Sequence, residues 1–300
     1  MILIVSENNE RTTTEIIRWL ISLGKDFIRV HEDEIFEIKT VERRIYIESQ
    51  RNCFFIDDIT SVWYRRGGLN FKRIQYINNT VNIHMNEYQH WLEDYVRNAL
   101  ENKKHINKES NFHINKLIVL DLAYNIGLDI PEYFLAENTD NVKLGETIVK
   151  TIAGNGILEF DETNHHAVVY TSVVENVEKS DFFITFFQQK IEKDFEIRTF
   201  YLHKKMWSMA IFSQNDDQTK VDYRRYNREK PNRNVRYNLP HDIENKIITL
   251  MTRLDLSSGS LDFIKSGDKF YFLEVNAIGQ FGNVSAHCNY NLDYEIANNL

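Results

Sequence analysis

The residues with the most chemistry to offer lie near the end of the chain. Asp262 interrupts the apolar run Ser260-Leu261-Asp262-Phe263-Ile264, and Glu274 interrupts Tyr271-Phe272-Leu273-Glu274-Val275, with Asn276 next in line. Glu274 and Asn276 are two apart, so on an extended strand they share a face that Val275 does not. Two carboxylates and an amide oxygen on one face suit Mg²⁺, a hard cation that takes oxygen ligands and shares them with phosphates. Unpaired carboxylates inside apolar runs are costly, and a metal would offset that cost. The same residues would serve equally as a solvated strand face with surface ion pairs.

Three further segments offer groups for a polyanion or a purine. Lys150 ends the run Thr147-Ile148-Val149 and precedes Thr151-Ile152-Ala153-Gly154-Asn155-Gly156. A lysine beside a glycine-containing turn can neutralise a phosphate while backbone N–H groups approach it. No G-K-[ST] is present, so this is not a Walker A loop, and a plain strand-end lysine before a hairpin fits as well. From Lys220 to Arg236 there are seven basic residues (Lys220, Arg224, Arg225, Arg228, Lys230, Arg233, Arg236) against Asp222 and Glu229. Such a run reads as a solvated loop or as a clamp for a polyanion. A formal net charge of −8 and the lack of a nucleic-acid motif favour a triphosphate over nucleic acid. Gln188-Gln189-Lys190-Ile191 precedes Phe195-Glu196-Ile197-Arg198. A strand passing a purine there would offer its backbone to the adenine edge, with later side chains near ribose and phosphates.

These groups need a scaffold, and the rest of the chain supplies one. Three hundred residues favour about two domains and allow a core without metal or disulfide staples. Hydrophobic residues at 42% and charged residues at 27% are ordinary for a globular protein. Cys53 and Cys288 are far apart and form neither a disulfide framework nor a zinc motif. The opening Met1-Ile2-Leu3-Ile4-Val5-Ser6-Glu7 lacks a basic region and reads as a first strand, not a signal peptide. No apolar run nears the roughly 18 residues needed to cross a membrane. The expected address is cytoplasmic, with no membrane partner.

Ile2–Val5 reads as a buried strand. Thr12, Thr13 and Thr14 offer N-caps to a helix carrying Ile16, Ile17, Leu20 and Leu23, which Gly24 stops; Phe27–Val30 is the next strand. This strand–helix–strand opening favours an α/β class. Arg44–Glu48, Cys53–Ile56 and Ser61–Arg65 are short strand candidates, Asn79 to about Lys103 a long helix, and His105–Asn111 a polar linker. Phe112–Gly127 reads as a helix ended by Gly127 and Pro131. Strands follow at Glu146–Thr151, His166–Ser172, Phe187–Ile191, Ile197–Leu202 and Met206–Phe212, then a helix from Pro240. Gly259–Ile264 and Phe270–Val275 form a hairpin turning at Ser266-Gly267-Asp268, and Asn291–Leu300 closes as a helix. No internal repeat is visible.

In this order, the pieces resemble the ATP-grasp superfamily from about Lys116 to Leu300. Its first phosphate lysine matches Lys116 in Ile114-Asn115-Lys116-Leu117, and its second matches Lys150. Its adenine hinge matches Gln188, Gln189, Lys190 and Ile191, and its ribose-side acid matches Glu196. Phosphate-side arginines match Arg198 and either Arg224 or Arg225, and the metal triad matches Asp262, Glu274 and Asn276. Within the superfamily the chain looks like the peptide maturases of the graspetide class, microviridin-type and grasp-with-spasm. The segments that carry this are Val62-Trp63-Tyr64-Arg65-Arg66, Met209 through Asp216, Val221 through Asn227, and Glu274-Val275-Asn276-Ala277-Ile278-Gly279-Gln280-Phe281. Two departures stand out. Ala277 occupies a place where the family often has proline, and the phosphate-covering loop is short, with only Gly154 and Gly156.

The resemblance implies an α/β (α+β) ATP-grasp fold: a pre-grasp domain over 1–108, a central part over 109–187 and a C-terminal part over 188–300 that carries the metal site. It implies ATP and Mg²⁺, with Asp or Glu side chains of a ribosomally made precursor peptide activated as acyl phosphates. These are joined to Thr, Ser or Lys side chains as ester or amide rings. Lys116, Lys150, Arg198 and Arg224 or Arg225 would hold the phosphates. Such maturases dock a leader segment ahead of the reacting core, and a homodimer is implied by similarity. Trp63, Tyr64, Arg65 and Arg66 have the composition of a binding edge, or of a strand with aromatics inward and arginines outward. Two other readings remain: a ligase for free amino acids or small metabolites, and a nucleotide- or peptide-binding module without catalysis.

Overall fold

The structure, a computed structural model, describes residues 1–111, 113–152, 157–159, 166–168, 170–176, 181–216, 219–225, 227 and 229–300. The chain divides into two units, one of residues 1–113, 255–258 and 290–300, the other of residues 114–254 and 259–289. The α/β class expected from the opening strand–helix–strand pattern is what is found.

The first unit begins with β1 (Ile2–Ser6), α1 (Arg11–Ser22), β2 (Phe27–His31), β3 (Ile35–Val41), β4 (Arg44–Glu48) and β5 (Cys53–Phe55). It continues with β6 (Ser61–Tyr64), β7 (Asn70–Phe71), α2 (Asn79–Glu101) and β8 (Lys104–Ile106). A parallel sheet runs in the order β2-β1-β6-β8, and a mixed sheet, antiparallel except for β3 beside β7, runs β5-β4-β3-β7. Every residue of β1 is buried, as its unbroken apolar run requires of a central parallel strand. Leu3, Val5, Phe36, Ile47, Val96 and Leu100 belong to the shared core.

Several expectations shift here. The cap of α1 is Glu10, whose carboxylate accepts the Thr13 N–H, so the three threonines lie inside the helix. The segment expected as a linker opens with β8, parallel to β6, because Ile106 fills the sheet's buried edge. The strand β3 was not expected. It turns into β4 through Glu42 and Arg43, both at positive φ (49° and 67°), a turn that usually advertises itself with Gly or Asn. Trp63, Tyr64 and Arg65 are each 3% exposed, and Arg65 pairs with Glu10 at 3.3 Å. The segment is therefore interior and neither forms a binding edge nor turns Arg65 outward.

The second unit holds α3 (Lys116–Asn125), β9 (Tyr133–Ala136), β10 (Thr147–Val149), β11 (Ile157–Glu159), β12 (His166–Val168), β13 (Ser172–Val173) and β14 (Thr185–Gln189). After these come β15 (Phe195–Leu202), β16 (Lys205–Phe212), β17 (Arg233–Tyr237), α4 (His241–Arg253), β18 (Ser258–Ser266), β19 (Lys269–Asn276) and α5 (Gly282–Cys288). The closing helix α6 (Leu292–Asn299) returns to the first unit, where Tyr294 meets Trp19 edge-on at 5.2 Å. The sheets of the second unit run β13-β10-β14-β9, β11-β12 and β17-β16-β15-β18-β19.

Asn115 starts α3 by accepting the Leu117 and Ile118 N–H groups (2.9 and 3.3 Å), and Gly127, at φ 83°, ends it. The strand expected at Phe187–Ile191 runs over Thr185–Gln189, and the Lys190 N–H adds one last in-register bond to the β10 side, at 2.8 Å from the Glu146 carbonyl. The span expected as one strand from His166 to Ser172 is divided between two sheets. β9, β17 and α5 were not expected. β17 reads as charge in sequence, yet its Arg236 side chain reaches the Cys288 and Asn289 carbonyls at the end of α5. The 153–156 turn with Gly154 and Gly156, and Arg228, lie outside the described residues. Among the described residues no helix is long and apolar enough to cross a membrane.

Candidate functional site

The hairpin of β18 and β19 sets Asp262 directly opposite Glu274 and Ser260 opposite Asn276, with a bulge just after Asp262. Like charges facing across a strand pair repel, so this pair needs positive partners, and the second unit supplies them from four elements. Lys116, the first residue of α3, places Nζ 3.0 Å from Glu274 Oε2. Arg198 on β15 places Nη1 3.6 Å from Asp262 Oδ2 and donates to Tyr223 Oη at 2.8 Å. Asn276 Nδ2 lies 3.5 Å from Glu274 Oε1. Lys150, one residue past β10, rests its ammonium 5.7 Å from the Phe186 ring centre and within electrostatic reach of Glu274 and Asp262. Arg224 also acts on both carboxylates from the segment before β17.

The ionisation of these groups follows from burial and neighbours. Burial raises the Asp262 carboxyl above its ordinary range, and Arg198 only partly opposes this. Burial pushes Glu274 the same way, but Lys116 and Lys150 together outweigh it and hold Glu274 below the usual range. Lys150 is held below the ordinary lysine range by burial, with Glu274 pulling it back up. Arg198 is raised by Asp262 and stays charged.

Asp262 is 15% exposed at its side chain, yet its Oδ1 is buried and has no hydrogen-bond partner among the described residues. A buried, unsatisfied carboxylate oxygen is expensive unless something binds it. A cation fits that oxygen, and Asp262, Glu274 and Asn276 form the oxygen set a hard divalent ion takes. Among the described residues there is no cluster of three or more His, Cys, Asp or Glu that could hold a metal without other help. Two carboxylates and one amide match an ion that completes its shell with phosphate oxygens and water.

The hinge segment follows from β14. Gln188 is fully buried between β10 and β9, and neither its Oε1 nor its Nε2 has a partner among the described residues. A carboxamide with both ends unsatisfied is matched to a ligand edge carrying one donor and one acceptor, such as that of adenine. The Gln189 N–H is taken by Glu132 and the Lys190 N–H by Glu146, both at 2.8 Å. That leaves Ile191 as the hinge residue whose N–H has no backbone partner among the described residues. The Gln189 side chain is exposed, and Lys190 pairs with Glu192 at 2.8 Å.

Glu196 is 8% exposed, and its carboxylate accepts from Lys193 Nζ (2.6 Å) and Ser213 Oγ (3.2 Å). Burial pushes it up to about 7, against the pull of Lys193. Lys193 also donates to the Val221 carbonyl at 3.2 Å. Both Arg224 and Arg225 lie over the Tyr170 ring (5.9 and 5.2 Å), but Arg225 donates to Ser172 Oγ at 3.2 Å. Of the two candidate arginines, Arg224 is the one in the field of Glu274. It is paired with Asp222 at 2.5 Å, and Asp222 itself is 5% exposed.

Sequence reasoning missed Lys193, Asp222 and Tyr223 as members of this network. Lys193 was detectable only by its three-residue spacing from Glu196. Asp222 read as a stray counter-charge, and Tyr223 as one aromatic in a basic run.

By sequence, no protein-family model and no curated protein matches the chain. By structure, it is similar to an ATP-grasp ligase of Chryseobacterium gregarium, associated with ribosomally made, modified peptides (RiPPs) and solved with ADP and a leader and core peptide. The TM-score is 0.75 at 21% identity, covering 99% of this chain and 94% of that one. It is similar to macrocyclase MdnC of Microcystis aeruginosa, solved with its precursor peptide MdnA. There the TM-score is 0.72 at 21% identity, covering 99% of this chain and 97% of that one. ATP-grasp ligase PsnB, solved with a phosphomimetic precursor variant, Mg and ADP, gives a TM-score of 0.70 at 14% identity over 99% of this chain and 96% of that one. The fold is the ATP-grasp fold, resembling that of the peptide maturases.

Proposed function

We propose that the chain is an ATP- and Mg²⁺-dependent ligase. It activates Asp or Glu side chains of a ribosomally made precursor peptide as acyl phosphates and joins them to Thr, Ser or Lys side chains of the same peptide. The observation that carries this is the facing pair Asp262 and Glu274, ringed by Lys116, Lys150, Arg198 and Arg224, with a buried Asp262 Oδ1 awaiting a partner. The neighbours solved with precursor peptides support the peptide as substrate.

A carboxylate is a poor acyl donor because its leaving group would be oxide. Transfer of the terminal phosphoryl group of ATP to the carboxylate releases ADP and gives an acyl phosphate, whose leaving group is phosphate. A hydroxyl or amine then attacks the acyl carbon, phosphate departs, and the nucleophile loses its proton, giving an ester or an amide. Bound by Asp262, Glu274 and Asn276, Mg²⁺ would supply charge neutralisation and alignment of phosphate oxygens. Lys116, Lys150 and Arg198 carry positive charge to the transferring group, where positioning and neutralisation are most of the catalysis. Arg224 is placed to stabilise the oxyanion of the second step. Gln188 and Ile191 would read the adenine edge from the hinge, flanked by Gln189 and Lys190, with Glu196 on the ribose side and Arg225 as the second candidate beside Arg224 for the phosphates or the oxyanion.

In this reading residues 1–108 form the pre-grasp domain, 109–187 the central part and 188–300 the C-terminal part, in a cytoplasmic enzyme. A leader segment docks ahead of the reacting core. The exposed aromatics Tyr88, Trp91 and Tyr95 on α2, with Val81 a turn or two before, support a homodimer through that helix. The test is incubation with ATP, Mg²⁺ and the candidate precursor, read by mass spectrometry. One water is lost per bond formed; unchanged mass with an intact partner peptide would sink the proposal.

A further inference from the structure

The ligase reading assigns the Asp262 carboxylate to a cation, yet in the structure that carboxylate is also the acidic neighbour of Arg198, 3.6 Å from Nη1. An arginine that surrenders its carboxylate regains rotamer freedom and loses aim. Arg198 has a second anchor. Its Nη1 donates to Tyr223 Oη at 2.8 Å, a shorter contact than the one to Asp262. The phenol oxygen accepts that bond and keeps its own proton to donate.

The anchor is itself held from both sides. The Val221 carbonyl before it accepts Lys193 Nζ at 3.2 Å. Asp222 accepts the Thr171 N–H at 3.2 Å and the Arg224 N–H at 3.0 Å, so the backbone on either side of Tyr223 is tied down. Burial first, then the negative charge of Asp262, pushes the Tyr223 phenol's pKa above its ordinary value, so the phenol keeps its proton. A neutral phenol can hold a guanidinium without competing with phosphate for its charge.

We propose that Tyr223 is a positioning residue that keeps the Arg198 guanidinium aimed at the terminal phosphoryl group when Asp262 turns to the cation. This rests on the ligase reading, but it makes a claim about nucleotide binding that needs no peptide. Tyr223→Phe keeps the ring and removes only the hydroxyl. By calorimetry with Mg²⁺ present, the variant is expected to bind the ATP analogue AMPPNP about tenfold more weakly while binding ADP unchanged. Its unfolding midpoint should match the parent. Adding Tyr223→Phe to Arg198→Lys should cost nothing further, since the two act as a unit.

Unchanged affinity for AMPPNP would overturn the inference. So would equal weakening for both nucleotides, or independent losses in the double variant, because a merely structural ring would behave that way. Failure of the unaltered chain to dehydrate any precursor would instead count against the ligase reading, leaving the nucleotide comparison to stand or fall by its own result.

Discussion

Asp262 and Glu274 face each other across β18 and β19 and are held there by surrounding cations. Glu274→Gln keeps the shape and removes the charge that Lys116 pairs with, so ATP-dependent product should fall at least about a hundredfold. Mass spectrometry of the peptide checks this, and a retained unfolding transition shows that the loss is chemical. Glu196 carries a different prediction. Its folded carboxyl titrates at about 7 against an ordinary 4.5, so between those values the folded state holds more protons than the unfolded one. Stability from this group is therefore complete below 4.5 and lost as the pH rises to about 7. Urea unfolding across that range should show a fall that Glu196→Gln flattens, with a slope of at most about 1.4 kcal/mol per pH step of one. An identical slope in the variant would mean that Lys193 keeps the carboxylate charged throughout.

At the scale of elements, the site depends on where helices start and strands bend. Lys116 reaches Glu274 because α3 begins at that residue, and α3 begins there because Asn115 caps it. Asn115→Ala should destabilise the fold by about 1 kcal/mol, read by thermal or urea unfolding, and weaken ATP binding by loosening the first turn. Helices were legible where apolar spacing and a glycine stop agreed, as in α1 with Gly24 and at the end of α3 with Gly127. Elements whose cues are tertiary were not. β17 carries two arginines, of which Arg236 reaches carbonyls more than fifty residues away and Arg233 lies over the Phe212 ring, and β3 turns through Glu42 and Arg43 without a glycine. The strand β14 ends two residues earlier than its sequence suggests, since its pairing with the β10 side closes at the Lys190 N–H and nothing in Gln189-Lys190-Ile191 announces that limit.

For the whole molecule, α2 carries the clearest unmet demand. Tyr88, Trp91 and Tyr95 are 62%, 61% and 58% exposed and lie three or four residues apart on one face. With Val81, seven residues before Tyr88 on the same face, they amount to several hundred Å² of apolar surface, on the order of the ~800 Å² each partner gives to a stable interface. Trp91→Glu is expected to convert a dimer to monomer in analytical ultracentrifugation at micromolar concentration. An unaltered chain that is monomeric across that range would exclude α2 as a dimer interface.

The triad Asp262, Glu274 and Asn276 was visible in sequence because a two-residue spacing fixes a strand face and acidic residues inside apolar runs stand out. Lys116, Lys150 and Arg198 were singled out because their order along the chain resembles that of the ATP-grasp motifs. Which partner each would meet was decided only by tertiary structure. Cross-strand register put Asp262 opposite Glu274, and different polar partners, Asp222 for Arg224 and Ser172 for Arg225, separated two arginines that are neighbours in the chain. Folding also buried Arg65, which composition alone had left free to point outward. Periodicity encodes the face a residue occupies, but the charge that answers it arrives from a distant segment, and no local pattern carries that information.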